Sequence, residues 1–474
     1  MSAPYAFLSG PRALTVIVLF LAATFLPSTA AEPTLPAATR AKIESIAQDI
    51  LRGTDVPSLS VAIARDGGVV YTGAFGSARM EPPAAATPSM RYPIGSISKQ
   101  FTTTAVLLLA EDGKLRLDDT VGTYIKDLGP AASVTIRQIL SHTAGIRDYW
   151  PQDYVFTRML KPATTREILE GWANQPLDFE PGTRWQYSNT GYVLAGAIVE
   201  KVSGITLFQF LRERVFEPLG MKSVIDVDQG RLGEGDPVGY QRYGIGPARV
   251  APKEGKGWLQ AAGQLAMTAE DLAKWELCLA GRGVLGDASR RDLTREVILR
   301  NGAGIQYALG LSVKYASERL AWSHGGEISG FSAHAVVFPE LGVAIVALAN
   351  QDVAGAPEVF AARVADLLSA DANPDAERTT REARAVLVGL KDGKIDRALL
   401  TPNASDYFSE AALRDFKAGL KPLGELESFS AGRTQTRGGM GTRIYQARFA
   451  VKTLQIIVRA MPDGKLEQYT VSAE

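Results

Sequence analysis

The chain has 474 residues, too many for one compact core at the usual ~100–200 residues per domain. Its apolar content of 46% and charged content of 22% are ordinary for a soluble globular protein. Lys plus Arg and Asp plus Glu are equal at 51 each, with no long single-sign run, which argues against capture of nucleic acid or anionic lipid through bulk charge.

Residues 1–31 stand apart from the rest. A weakly basic start ending at Arg12 leads into an apolar run over 13–26, closed by Pro27, and Ser28-Thr-Ala-Ala31 offers small residues for cleavage after Ala30 or Ala31. This is the pattern of a secretory signal peptide, since a spanning helix needs about 20 apolar residues. No Cys follows the run, so a lipid anchor there is excluded. The expected location is periplasmic or secreted, with no membrane span left after cleavage. Cys278 is the only cysteine, so no internal disulfide forms. Its place in a helical stretch over 271–280 reads as a buried structural thiol.

Residues 37–53 predict an amphipathic helix. Residues 58–65 and 69–75 are strand-like and joined at Asp66-Gly67-Gly68, a hairpin. Residues 96–111 read as a largely apolar and therefore buried helix. Helices and Gly/Pro loops fill the middle, with Thr268-Ala-Glu-Asp271 a helix start. Strand patterns return at 320–324, 332–338 and 343–348, followed by a helix over 357–368. The expected fold class is α+β: the two terminal segments of residues 32–371 close one antiparallel sheet, with helices on it and a helical insertion between them. Residues 372–380 are polar and linker-like. Residues 381–474 read as a small α+β accessory domain, helical to about Leu420, with strands near 443–449, 454–459 and 466–471 and a turn at Met461-Pro-Asp-Gly464.

The chemistry begins at Ser96 and Lys99. Three apart on a helix, they lie one turn apart on one face, roughly 5–6 Å between Cβ atoms. With Ser96 opening the helix, its Oγ sits beside free N–H groups at the positive end of the dipole. Lys99 can take the hydroxyl proton where its surroundings keep it partly neutral, against a reference pKa of about 10.4. Such a pair makes an acyl-enzyme only with a second proton shuttle and an oxyanion hole. Tyr187-Ser188-Asn189 stands on a turn-forming stretch before an apolar helix; a Tyr hydroxyl can relay protons, and an Asn amide can hold both a Lys and a substrate carbonyl. His324-Gly325-Gly326 lies on a strand, where glycines let a substrate backbone approach the edge closely.

Ser-x-x-Lys, Tyr-Ser-Asn and His-Gly-Gly, in this order and spacing, resemble the three motifs of serine β-lactamases and penicillin-binding proteins. The resemblance is closest to the class C β-lactamase and D-alanyl-D-alanine carboxypeptidase branch, with its esterase and D-aminopeptidase relatives. Gly95, the Gln138-Ile-Leu-Ser-His-Thr-Ala-Gly-Ile146 stretch, Pro181-Gly182, Phe216-Glu-Pro-Leu-Gly-Met221 and residues 326–331 agree with it, so that it covers about residues 40–370. It implies Ser96 as the acylated nucleophile, Lys99 as its base and Tyr187 as the group that protonates the leaving group and later helps activate water. Asn189 would bind the substrate's amide carbonyl, and the N–H groups of Ser96 and Glu327 would form the oxyanion hole. His142 reads as structural and His334 as packing or surface. No metal or cofactor is called for.

One departure bears on substrate. The strand triad commonly reads Lys-Thr-Gly in β-lactamases, supplying a cation and a hydroxyl to a substrate carboxylate. Here an imidazole with a reference pKa near 6.5 and a glycine stand in those places. Losing a charge-assisted hydrogen bond costs about 1.5–3 kcal/mol of recognition. The expectation is an exported serine hydrolase that forms an acyl-enzyme on Ser96 and cleaves esters, amides or peptides with a D-residue at the amino end. The alternatives are a penicillin-recognising sensor that keeps the fold without catalysis, and a true class C-like β-lactamase. The expected partner is a small-molecule or peptide substrate, peptidoglycan-derived peptides included; the oligomeric state is left open.

Overall fold

In the computed structural model, Ala37–Thr54 forms α1, where Thr39, Ile43, Ala47 and Ile50 recur at helical spacing and are buried. The structure describes residues 34–473 apart from 153, 282, 317–318 and 372–373, so the expected signal peptide over 1–31 lies outside the described residues. Ser58–Arg65 (β1) and Gly68–Arg79 (β2) make the expected hairpin, with Asp66 and Gly67 at positive φ in its turn. Gly95–Ile97 is a separate 3-10 turn and Ser98–Glu111 is α2, so Ser96 precedes the α-helix instead of capping it. Residues 98–109 are all buried.

Asn189–Ser203 is α3 and Ala269–Ala280 is α4, the latter capped by Thr268, whose Oγ1 accepts from the Asp271 N–H. Cys278 on α4 is partly rather than fully buried. Four strands follow, Ser312–Ala316 (β3), Arg319–Ile328 (β4), Phe331–Phe338 (β5) and Val343–Ala349 (β6), then the helix Ala356–Asp371 (α5). One seven-stranded sheet results, running from the two-residue strand Ala84–Ala85 through β2, β1, β6, β5 and β4 to β3, with every pairing antiparallel. The fold is α+β. Its two edge strands, Ala84–Ala85 and β3, are the unanticipated ones.

The strand period divides the central strands between two cores. Leu59, Val61 and Ile63 of β1 and Ile345 and Ala347 of β6 pack with Ile43 of α1 and Phe360 and Val364 of α5. The alternate residues Ala62, Ala64, Val346 and Leu348 join Phe101 of α2, Leu194 of α3 and Trp275 of α4 on the other face. Each fully buried aliphatic or aromatic side chain of this size stabilises the layers by about 1.5–3 kcal/mol.

The expected linker over 372–380 is corrected: Pro374–Lys391 is a helix, α6. Its polar composition reflects an apolar stripe confined to Ala383, Val386, Leu387 and Leu390, all buried. That stripe packs with Phe408, Tyr445, Ile456 and Tyr469 in a third core, separate from the other two. Here Glu410–Leu420 (α7) precedes a four-stranded antiparallel meander of Leu426–Arg437 (β7), Met440–Phe449 (β8), Thr453–Ala460 (β9) and Leu466–Ala473 (β10). The first of these strands is the one unforeseen. Gly464, at φ +89°, makes the turn between the last two.

Candidate active site

Two glycines bring the turn that carries Ser96 against β4. Gly95 stands at φ +50°, and a Cβ there would lie 2.5 Å from the Glu327 nitrogen. A Cβ on Gly326 would lie 1.9 Å from the Ile94 carbonyl oxygen. Neither position can carry a side chain, because backbone occupies the space on both sides. The main-chain nitrogens of Ser96 and Glu327 are thereby neighbours across the contact. The expectation that Gly326 makes room for substrate is corrected in this respect: its missing side chain makes room for the nucleophile's own turn. Gly325 is the open one, exposed, with only the Ala333 carbonyl, at 3.9 Å, near an added Cβ.

Lys99 lies behind Ser96 at 0% exposure. Its Nζ is 2.9 Å from Ser96 Oγ, 2.8 Å from Asn189 Oδ1 and 2.9 Å from the Ala262 carbonyl oxygen. The last two atoms can only accept, so they take two of the amine's protons and leave its third direction facing Ser96 Oγ. Asn189 opens α3 and is itself held by Asp148, whose carboxylate accepts from the Asn189 main-chain N–H at 3.0 Å and from its Nδ2 at 3.2 Å. The Asn189 side chain therefore has one amide proton left for a substrate carbonyl, and its main engagement is with Lys99. Burial holds the Asp148 carboxyl above its ordinary value, against the pull of these hydrogen bonds and of Lys99.

Tyr187 faces the same amine, with Lys99 Nζ 4.9 Å from its ring centroid. Its ring rests on that of His142 at 4.2 Å between centroids, and Trp185, Tyr192 and Tyr307 complete an aromatic cluster around the imidazole. His324 belongs to this cluster too. Its Nδ1 donates to the Gly325 carbonyl and its Nε2 accepts from the Tyr307 hydroxyl at 2.9 Å. Burial, reinforced by Lys99, lowers its pKa to about 3, so the ring is neutral and both nitrogens are spent inside the protein. His324, expected with Gly325 and Gly326 among the substrate-binding residues, lines the cavity but keeps both ring nitrogens engaged within the protein.

Ser96, Tyr187, Asn189, His324, Gly325, Gly326 and Glu327 all line one cavity of about 1330 Å³. Tyr149, Trp150, Phe156, Trp172 and Trp185 supply its aromatic wall, and Asp148, Asp178, Glu327 and Glu358 its carboxylates. Arg147 is the one Arg or Lys among the described lining residues, and its guanidinium is bonded to Asp178 at 2.9 Å. Among the described residues no group of three or more His, Cys, Asp or Glu side chains is placed to hold a metal ion. The same residues hold no single helix long and apolar enough to cross a membrane. Asp148, Tyr307 and the Ala262 carbonyl carry no sequence signal that would have found them. His334, paired with Gly325 across the strands, also reaches the cavity wall.

The sequence model of the Beta-lactamase family matches residues 43–370. The chain belongs to that family. It is a serine hydrolase of the β-lactamase fold. A penicillin-binding protein of Bacillus subtilis (strain 168) is 28% identical over 309 residues, which are 62% of this chain and 68% of the relative. Curated relatives of this kind are thus matched over about two thirds of their length, 68% and 62% for the first two. Among solved structures, a D-stereospecific amidohydrolase from Streptomyces sp. is 26% identical with a TM-score of 0.59, covering 68% of this chain and 96% of its own. The octameric penicillin-binding protein homologue from Pyrococcus abyssi, at 22% identity and a TM-score of 0.60, covers 92% of this chain and 96% of its own, so this likeness in fold extends past the β-lactamase match.

Proposed function

We propose that this β-lactamase-family protein is an exported serine hydrolase that forms an acyl-enzyme on Ser96. Its substrates are amides or esters of an apolar or aromatic acyl group with no free carboxylate beside the scissile bond. The observation that carries the reading is the approach of Lys99 Nζ to Ser96 Oγ at 2.9 Å, with two carbonyl acceptors fixing the other directions of the amine. Lys99 takes the Ser96 proton as Oγ attacks the substrate carbonyl carbon. The N–H groups of Ser96 and Glu327 receive the oxyanion. Tyr187 passes a proton to the departing nitrogen or oxygen, and the acyl-serine is then cleaved by water from the same side.

The substrate class follows from what the cavity offers. His324 has no donor to spare and Gly325 no hydroxyl, while Arg147 is engaged by Asp178. A substrate carboxylate would meet a wall carrying Asp148, Asp178, Glu327 and Glu358. The aromatic wall suits a large apolar side chain, and carboxylates suit a substrate amine. The Streptomyces relative, named a D-stereospecific amidohydrolase, supports amides of D-configured residues as the first substrates to try. Export is supported by the apolar run over 13–26 and the small residues that follow it.

The test is labelling with a fluorophosphonate probe and with penicillin, read by intact mass for wild type and Ser96→Ala. A fluorophosphonate adduct on wild type alone is expected, together with turnover of D-amino acid anilides or p-nitrophenyl esters. Absence of any adduct would overturn the acyl-enzyme. Rapid penicillin turnover would overturn the substrate class and make the protein a true β-lactamase.

A further inference from the structure

We infer that His142 is a positioning residue for Tyr187, an inference that rests on the acyl-enzyme reading above. The motif around His142 carries no chemistry of its own, yet the residue touches the Tyr187 turn three times. Its carbonyl accepts from the Gln186 N–H at 2.9 Å. Its ring Nδ1 accepts from the Ser188 N–H at 3.1 Å. Its ring lies 4.2 Å from the Tyr187 ring, tilted by 34°. The N–H groups of the residues before and after Tyr187 are therefore tied to one residue, and the phenol rests on that residue's side chain.

The backbone of His142 makes this possible. At φ +59° it sits in the left-handed region, which few non-glycine residues occupy and which His tolerates better than most. There the main-chain carbonyl and the ring both reach the same passing segment. An Nδ1 that accepts from an amide carries no proton, so the neutral ring has its proton on Nε2. That nitrogen is buried and without a hydrogen-bond partner among the described residues, with the rings of Tyr192 and Tyr307 packed at 5.3 and 5.1 Å. A side chain that only filled this space would be apolar, as phenylalanine is. An imidazole left with an unpaired Nε2–H is explained by what its Nδ1 does on the other side. Burial, then the neighbouring Lys99, holds His142 well below its usual pKa, so the accepting form persists across the working pH range.

The consequence is specific to proton delivery. Tyr187 must reach both Lys99 and the leaving group, and a misplacement of about 1 Å can cost on the order of a hundredfold in rate. The test compares kcat/KM, which reports acylation, for a D-amino acid anilide and a p-nitrophenyl ester. The anilide nitrogen must be protonated to leave; p-nitrophenolate leaves without a proton. His142→Phe keeps the stacked ring and removes Nδ1. It is expected to lower the anilide reaction by about 50-fold through kcat, and the ester reaction by less than about fivefold. In a Tyr187→Phe background the same change is expected to cost less than about twofold more, because the two act as one unit. Equal losses on both substrates, or full additivity with Tyr187→Phe, would overturn the inference. Should His142→Phe fail to fold, His142→Gln, whose side-chain oxygen can accept from Ser188, carries the same comparison and is expected to lose less on the anilide. Ser96 labelling of wild type is read separately: its failure strikes the acyl-enzyme and not the clamp.

Discussion

Gly326 and Ile94 meet so closely that a Cβ on the glycine would stand 1.9 Å from the Ile94 carbonyl oxygen. Ile94 precedes the turn that carries Ser96, so anything that widens this contact moves the nucleophile. The same virtual Cβ is 3.3 Å from the Ser96 nitrogen, one of the two proposed oxyanion donors. Gly326→Ala is expected to lower kcat/KM by at least about 100-fold, the size of losing one oxyanion donor. Fluorophosphonate labelling of Ser96 should slow in parallel. A variant labelled at the wild-type rate would show that the contact does not set the geometry of the site.

Asp148 acts on Lys99 through Asn189. Burial raises its pKa, so the carboxylate form costs more in the folded protein than in the unfolded chain. As pH falls through that raised value the group protonates, loses its charge and turns one of the two oxygens that accept from Asn189 into a hydroxyl. Stability drawn from the protonated form is complete below the ordinary carboxylate pKa and declines as pH rises through the folded value, whereas activity runs the other way. Asp148→Asn is expected to flatten the acid limb of the kcat/KM profile and to lower its plateau by about tenfold, within the range for a displaced catalytic group. An unchanged acid limb would assign that limb to another residue.

The pairing of Ser96 with Lys99 was legible because helical periodicity alone brings i and i+3 together. The placement of His324-Gly325-Gly326 on a strand beside them was legible from the alternation on either side. The role of His324 was not. Its partner Tyr307 lies 17 residues earlier in irregular chain, where no period connects them. The Ala262 carbonyl was equally hidden, since a backbone oxygen has no residue type. Among the elements, β3 and β7 are not announced by the sequence because neither alternates apolar and polar residues cleanly: Tyr315 at the first is 78% exposed on the sheet's edge. His142 stood inside a recognised stretch, but its importance depends on a left-handed backbone that its neighbours do not announce.

Glu276 on α4 is a liability that pH should expose. It is fully buried with only the Gln100 side chain nearby to oppose the cost, and burial pushes its pKa up to about 8. The folded pKa exceeds the unfolded one, so the contribution to stability is complete below the ordinary value near 4.5 and is lost as pH rises through about 8. The full span amounts to roughly 5 kcal/mol, taking 1.36 kcal/mol per pKa unit. Thermal unfolding should accordingly show a lower Tm at pH 9 than at pH 6. Glu276→Gln should remove most of that difference. A variant that keeps the wild-type slope would place the pH dependence elsewhere.

Gly325 invites the opposite experiment to Gly326. An added Cβ there meets only the Ala333 carbonyl at 3.9 Å, an ordinary contact, and the residue is exposed to the cavity. A threonine can therefore stand where the site now lacks a hydroxyl, without moving the Ser96 turn. One neutral hydrogen bond to a substrate carboxylate is worth about 0.5–1.5 kcal/mol, or up to roughly tenfold. Gly325→Thr is expected to speed acylation of Ser96 by penicillin by about that factor, to leave Tm within about 1–2 °C, and to change little with a p-nitrophenyl ester that has no carboxylate. The added cation of a Lys at 324 would not follow so easily, because the His324 ring is packed against Tyr307 and bonded to it. Equal acceleration of ester and penicillin would mean that the hydroxyl acts on the reacting bond rather than on the carboxylate. No acceleration with either would mean that substrates enter along a path that does not pass Gly325.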